Sequence, residues 1–207
     1  MSIKFDREVK KDEGPQVVLG GKIRDLLTDH NHRRNLGIFI VQWITGVYAY
    51  YNIYFQLKYF KGDIFTNVII AGASEMTSTV IAGLVFQRIG LRRTYLFSLT
   101  LGFVCSTVFF TFGHAYEPLI PFLLLGAFFG YTSVLLVNWI ATPHLFPVLY
   151  ASSCQGFCNA IARCAAILAP QLAELDQPIP MIIVSILTLI SGALVLILKP
   201  LQAHSTN

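Results

Sequence analysis

The stretch from Ile64 to Phe112, IFTNVIIAGASEMTSTVIAGLVFQRIGLRRTYLFSLTLGFVCSTVFFTF, decides what kind of chain this is. Two apolar runs, Ile64 to Phe86 and Thr94 to Phe112, flank a break in which Gly90 is soon followed by Arg92 and Arg93. Each run is about 20 residues long, enough as a helix to cross a hydrocarbon core of about 30 Å. Basic residues are retained on the cytoplasmic or matrix side of a membrane, so the break reads as a short inner loop between two crossings. Glu75 is out of place in this reading, an acid near the middle of the first run.

Outward from this pair the same pattern predicts four more crossings. They run from about Asn35 to Leu57, Pro118 to Thr142, Tyr150 to Ala173 and Ile179 to Leu198. Breakers fall between them at Lys61-Gly62-Asp63, Gly113-His114, Pro143 with Pro147, and Pro178 with Pro180. The expected fold is an all-α membrane protein of six transmembrane helices. A polar head and linker-like segment, 1–34, precedes the membrane domain, 35–200, and a short tail, 201–207, follows it. Arg33, Arg34, Arg88, Arg92, Arg93 and Lys199 collect on one side of this topology. Lys58 and Lys61 lie on the other with Asp63, Glu117, Glu174 and Asp176, so both termini are expected inside.

Composition agrees. Of the 207 residues 55% are hydrophobic and only 13% charged, half of what a soluble domain needs to cover its surface. Met1 to Arg34 hold 8 of the 15 basic and 6 of the 11 acidic residues, which leaves the rest of the chain nearly uncharged. The net charge of +4 forms no basic stripe for phosphates, which argues against a nucleic-acid partner; the bilayer is the expected one. Met1 to Glu13 alternate acids and bases with no apolar core, so neither a secretory signal peptide nor an Arg-rich, acid-poor transit peptide is expected there.

Polar stripes mark three of the helices. Gln42, Thr45, Ala49, Asn52 and Gln56 recur at helical spacing on the first, Asn67, Ala71, Ser74 or Glu75, and Ser78 on the second, and Ser152, Gly156, Asn159 and Arg163 on the fifth. Such faces line a water-filled or solute-lined cavity, or they bond and pack helix against helix. Glu75 and Arg163 are the sharpest residues, because an ionised group at membrane depth costs at least about 3 kcal/mol and is kept only when paired, hydrated or used. They read as charge determinants of a solute path, as a buried mutual pair, or as a contact to a neighbouring subunit. Asn159, Gln42 and Asn52 join them as candidates for the path.

Little else suggests chemistry. Cys105, Cys154, Cys158 and Cys164 all lie in apolar segments, so no disulfide framework is expected. Cys154 and Cys158 share a helix face but lack a histidine to complete a metal site. His144, between Pro143 and Pro147, reads as a loop histidine. With no phosphate loop, nucleophile elbow or carboxylate pair, neither an enzyme nor a bound cofactor is expected.

The inner-loop run Gly83-Leu-Val-Phe-Gln-Arg-Ile-Gly-Leu-Arg-Arg93 resembles the loop motif of the major facilitator superfamily. His32-Arg33-Arg34, Glu75, Leu145-Phe146-Pro147 and the run from Gly156 to Pro170 narrow the resemblance to the C-terminal half of its organic cation and anion transporter branch. It extends over about Asp25 to Leu201. Arg163 stands where anion-type members commonly carry Arg and cation-type members Asp, which leans toward anions. Family members usually carry Asp-Arg-x-Gly-Arg-Arg in the loop and Thr-Glu-x-Arg after the Phe-Pro, and these charges form an inner-face gating network. Here Gln87 replaces the Asp and Leu91 the first Arg of the closing pair, while Leu149 and Ala151 take the Glu and Arg positions, leaving Arg88, Gly90, Arg92 and Arg93 of a degenerate motif. Met76 follows Glu75 where the family commonly has Pro.

A complete transporter of this kind has two six-helix halves with the solute site between them. The resemblance therefore implies a single half. Combined with the lost gating charges, it leads to the expectation of a non-catalytic accessory subunit packed among other membrane subunits, in an energy-transducing membrane such as the mitochondrial inner membrane. The alternative is a half-transporter for organic ions that works by pairing with a second six-helix half.

Overall fold

The computed structural model describes residues 29–56, 64–112, 120–175 and 179–198. Within them the chain is helical throughout: α1 (His30–Gln56), α2 (Ile64–Ile89), α3 (Leu91–Phe112), α4 (Ile120–Leu145), α5 (Val148–Ala166), the short α6 (Ala169–Ala173) and α7 (Ile179–Ile197). The head up to residue 28, the breakers at 61–63 and 113–114, Lys58, Glu117, Asp176, Pro178, Lys199 and the tail lie outside the described residues, as do the side chains of Gln56 and Asn67.

Helix limits depart from the hydropathy reading where local chemistry overrides it. α1 begins at His30, before its apolar run, because Asp29 caps it: the Asn31 N–H donates to Asp29 Oδ1 at 3.0 Å and the Arg33 N–H to the Asp29 carbonyl at 2.9 Å. Pro143 does not end α4 but sits inside it, two residues before the true end at Leu145, and the chain breaks at Phe146-Pro147 instead. His144 therefore lies on the last turn of α4 rather than in a loop, its ring 5.4 Å from that of Phe86. The expected continuous fifth helix is interrupted at Ile167-Leu168. Pro170 has no N–H to give an upstream carbonyl, so it occupies the first turn of a new helix, α6, where none is required.

Between α2 and α3 the chain turns on Gly90, whose φ of +77° is open to glycine and strained for other residues. Leu91 is buried and joins Phe39, Trp43, Tyr95, Leu145 and Phe146 in the core at this end of the bundle. A second cluster, with Tyr48, Ile53, Phe128, Tyr131, Met181 and Val184, fills the other end. α4 packs against α1, α2, α3 and α5, and α7 closes the bundle against α1 and α3.

The α3–α4 crossing is the tightest. Gly102 and Gly130 let the backbones meet, so that a Cβ on Gly130 would stand 2.6 Å from the Gly102 nitrogen and 2.9 Å from the Ser98 carbonyl oxygen. Buried polar side chains then join the helices. Tyr95 on α3 donates to Asn138 Oδ1 on α4 at 2.6 Å, and Asn138 donates to the Gln42 carbonyl on α1 at 3.3 Å. The Gln42 amide in turn donates to the Ser191 carbonyl on α7 at 2.9 Å and accepts from the Ser191 hydroxyl at 2.6 Å. Nearer the other end, Tyr131 Oη pairs with Ser106 at 3.2 Å and with Thr188 at 2.9 Å.

Among the described residues, α2, α4 and α7 each contain a segment long and apolar enough to cross a membrane on length and composition alone. Polar side chains lower the average elsewhere. In α1 those of Gln42, Thr45 and Asn52 are fully buried within the bundle.

Candidate functional site

α1 carries four tyrosines in seven residues, Tyr48, Tyr50, Tyr51 and Tyr54. Tyr48 points into the core, while the others belong to a groove of about 250 Å³ lined by Tyr50, Tyr51, Tyr54, Val68, Gly72 and Glu75. The Tyr50 ring is fixed by Phe128 at 5.1 Å and stacks on Tyr54 at 6.2 Å, and the Tyr51 ring stacks on Phe55 at 6.4 Å. Successive helical residues point about 100° apart. Tyr50 accordingly turns toward α4 and α2, Tyr51 toward α5.

This divergence positions Glu75 and Arg163. Tyr50 donates to Glu75 Oε2 at 3.3 Å, and Arg163 Nη1 donates to Tyr51 Oη at 2.8 Å. Arg163 Nε also reaches Asn159 Oδ1 at 3.4 Å. The buried mutual pair allowed by their opposite signs does not form: Glu75 is half-buried, Arg163 is exposed, and a different tyrosine of α1 meets each. A guanidinium has five N–H donors and a carboxylate room for several acceptor contacts, so both groups keep capacity to bind something else. The face can thus offer a negative group, a positive group and aromatic surface together.

Other candidates from the sequence sort to different places. Asn159 belongs to this face through Arg163. Gln42 and Asn52 do not: both are fully buried, Gln42 bonded to α7, and Asn52 within 3.5 Å of Tyr48 Oη. Of the α1 stripe read as a possible cavity wall, Gln42, Thr45, Ala49 and Asn52 are buried against sister helices, and the groove-facing tyrosines lie outside it. Their signal was present as a run of hydroxyl-bearing aromatics in one helix. Ser78 on α2 likewise bonds α4, at 2.8 Å to both the Phe129 carbonyl and Ser133 Oγ.

At the opposite level, Gln87, Arg88, Gly90, Arg92 and Arg93 are all exposed. Arg92 donates to the Leu196 carbonyl in the last turn of α7, where a helix end leaves carbonyls unsatisfied. Cys154 and Cys158 are buried side by side and Cys164 is exposed. No cluster of three metal-ligating side chains occurs among the described residues.

Residues 4–199 match the family described as sugar (and other) transporters. Organic cation/carnitine transporter 2 of Rattus norvegicus is 25% identical over 203 residues, 93% of this chain and 35% of that protein. The organic cation transporter-like protein of Drosophila melanogaster is 24% identical, covering 90% of this chain and 33% of its own length. Organic cation/carnitine transporter 4 of Arabidopsis thaliana is 23% identical, over 94% and 38% respectively. The chain thus spans about a third of the length of the curated relatives it matches. These relatives are transporters rather than enzymes, and the resemblance read from the loop and fifth-helix motifs points to the same branch.

Proposed function

The chain belongs to the sugar (and other) transporter family of the major facilitator superfamily, and from that premise we propose that it acts as a six-helix transporter half whose groove face forms one wall of a path for organic ions. The observation that carries this reading is the separation of Glu75 and Arg163, each anchored to a tyrosine on an open face and neither neutralised by the other. Lipid is a poor cover for such charges, and a hydrated path against a second half is a good one. The names of the relatives favour organic cations as solutes, Glu75 suits a cation, and Arg163 suits an anionic group.

Reconstituted vesicles test this. Glu75→Gln and Arg163→Gln are expected to reach the membrane in normal amounts, because neither group anchors the core, and to lower organic-ion uptake at least about tenfold, the loss of one charge-assisted contact of 1.5 kcal/mol or more. If both variants instead fail to assemble and the double substitution restores assembly, the charges serve the fold and the transport reading is wrong.

In this proposal all six long helices cross the bilayer, with the Gly90 turn and Pro147 on the inner side. The Phe86–His144 contact supports placing those two junctions at one level. Labelling of single cysteines in a cysteine-free background decides the topology: one introduced at Glu174 is expected to react only from the side opposite one introduced at Arg93. Reaction of both from one side overturns the six-crossing scheme.

The accessory-subunit reading has one observation in its favour, the burial of Leu91 where a gating arginine is usual. It predicts co-purification of unrelated membrane subunits and no uptake under any pairing. Nothing in the fold favours the mitochondrial inner membrane over another bilayer.

A further inference from the structure

The groove face carries its charges in a self-complementary order. Glu75 lies on one flank of α1, contributed by α2, and Arg163 lies on the other, contributed by α5, with Tyr50 and Tyr51 between them. A two-fold axis normal to the membrane and passing over α1 exchanges the flanks. It sets the acid of one copy against the base of its partner, and the reverse, so that one contact generates two identical ion pairs.

Depth decides whether such pairs can form. Glu75 stands fourteen residues before the end of α2 at Ile89, and Arg163 fifteen residues after the start of α5 at Val148. At 1.5 Å per residue these are about 21 and 22 Å from the two junctions. The junctions themselves lie at one level, since Phe86 near the end of α2 meets His144 just before α5. A rotation within the plane of the membrane therefore brings the two charges to the same height.

The flanking surfaces are shaped for close approach. On α2, added Cβ atoms at Gly72 and Gly83 meet nothing within 4 Å, and Thr79 is exposed with its hydroxyl turned back to the Glu75 carbonyl at 2.9 Å. On α5, Gly156 is equally open and Ser152 is exposed. Small residues on both surfaces permit helices to approach closely, and charge order then selects α2 against α5 over α2 against itself, which would oppose two acids.

We infer that the second half facing this groove is another copy of this chain, docked with α2 of each copy against α5 of the other and held by reciprocal Glu75–Arg163 pairs. The inference rests on the half-transporter reading for its purpose, while the pairing is testable without transport. In the dimer both flanks of the solute path are supplied twice, so the path is two-fold symmetric and each charge has a partner that solute must displace.

The experiment uses two differently tagged copies of the full chain, co-expressed and measured by co-purification and by energy transfer in lipid vesicles. Wild-type copies are expected to associate. Glu75→Arg alone, or Arg163→Glu alone, is expected to weaken self-association at least about thirtyfold, because each places like charges together at both contacts. Mixing the Glu75→Arg chain with the Arg163→Glu chain restores opposite charges at both contacts, and association is expected to return. That rescue between chains also shows that each variant is folded. Wild-type copies that remain monomeric at every protein-to-lipid ratio, single reversals that associate like wild type, or a mixture that fails to associate each overturns the inference. The outcomes also separate the two proposals. Uptake by a chain paired with a different six-helix protein rejects only the identity of the partner, whereas paired copies that move no organic ion reject only transport.

Discussion

Gly130→Val is expected to leave almost no folded protein in the membrane fraction. The first added atom would already lie 2.6 Å from the Gly102 nitrogen and 2.9 Å from both the Gly102 Cα and the Ser98 carbonyl oxygen. These are backbone atoms of α3, which cannot rotate aside as a side chain can, so the helices must separate. Ordinary overpacking costs about 1–3 kcal/mol. Here separation also stretches the Tyr95–Asn138 and Ser106–Tyr131 bonds across the same interface, against a total stability that for most proteins is about 5–15 kcal/mol. Gly126→Ala is the informative comparison, since its Cβ would meet the Cys105 Sγ at 2.8 Å, a side chain free to turn. It should be milder than Gly130→Ala. Thermal unfolding of the detergent-solubilised protein, followed by size-exclusion chromatography, measures both, and a Gly130→Ala melting temperature equal to that of wild type would falsify the tight crossing.

Asn138→Leu is expected to cost about 2–3 kcal/mol, or a fall of roughly 5–10 °C in melting temperature for a chain of this size. Asn138 is fully buried and accepts from Tyr95 while donating to the Gln42 carbonyl. Leucine fills a similar volume but strands the buried Tyr95 hydroxyl without its acceptor, and the unmet donor accounts for most of the expected loss. Tyr95→Phe on this background should therefore recover part of the stability. Bonds between membrane helices are worth about 0.6 kcal/mol on average, so a loss of only that size with no recovery would mean that the hydroxyl finds another partner. Uptake and stability should separate across these sites: Asn138→Leu acts through the bundle, and Glu75→Gln acts on the groove.

Most of the helical order was readable from hydropathy, because long apolar runs interrupted by glycine and paired arginines leave few other arrangements. The differences arise from interactions that hydropathy does not measure. Asp29 extends α1 over a charged turn by capping it, and Pro170 breaks the fifth run even though its neighbours are apolar. Glu75 and Arg163 were visible as anomalies in the sequence, but their partners were not. A polar stripe can face sister helices or an open groove with the same periodicity, and Gln42 and Asn52 face sister helices. Choosing between these faces requires knowing which helices are neighbours, which the α3–α4 and α1–α4 contacts determine. The Gly126-x-x-x-Gly130 spacing that sets one of those contacts was present in the chain all along.

Tyr50 and Tyr51 are joined by a single peptide unit, and each holds one of the two charges. Their helix consequently works as an axle between the two flanks. If α1 rolls about its own axis, the Tyr51 hydroxyl moves toward or away from α5 as the Tyr50 hydroxyl moves relative to α2, so such a roll changes both hydrogen bonds together. Such a roll would link the carboxylate to the guanidinium through one rigid body, with no relay of intervening side chains required.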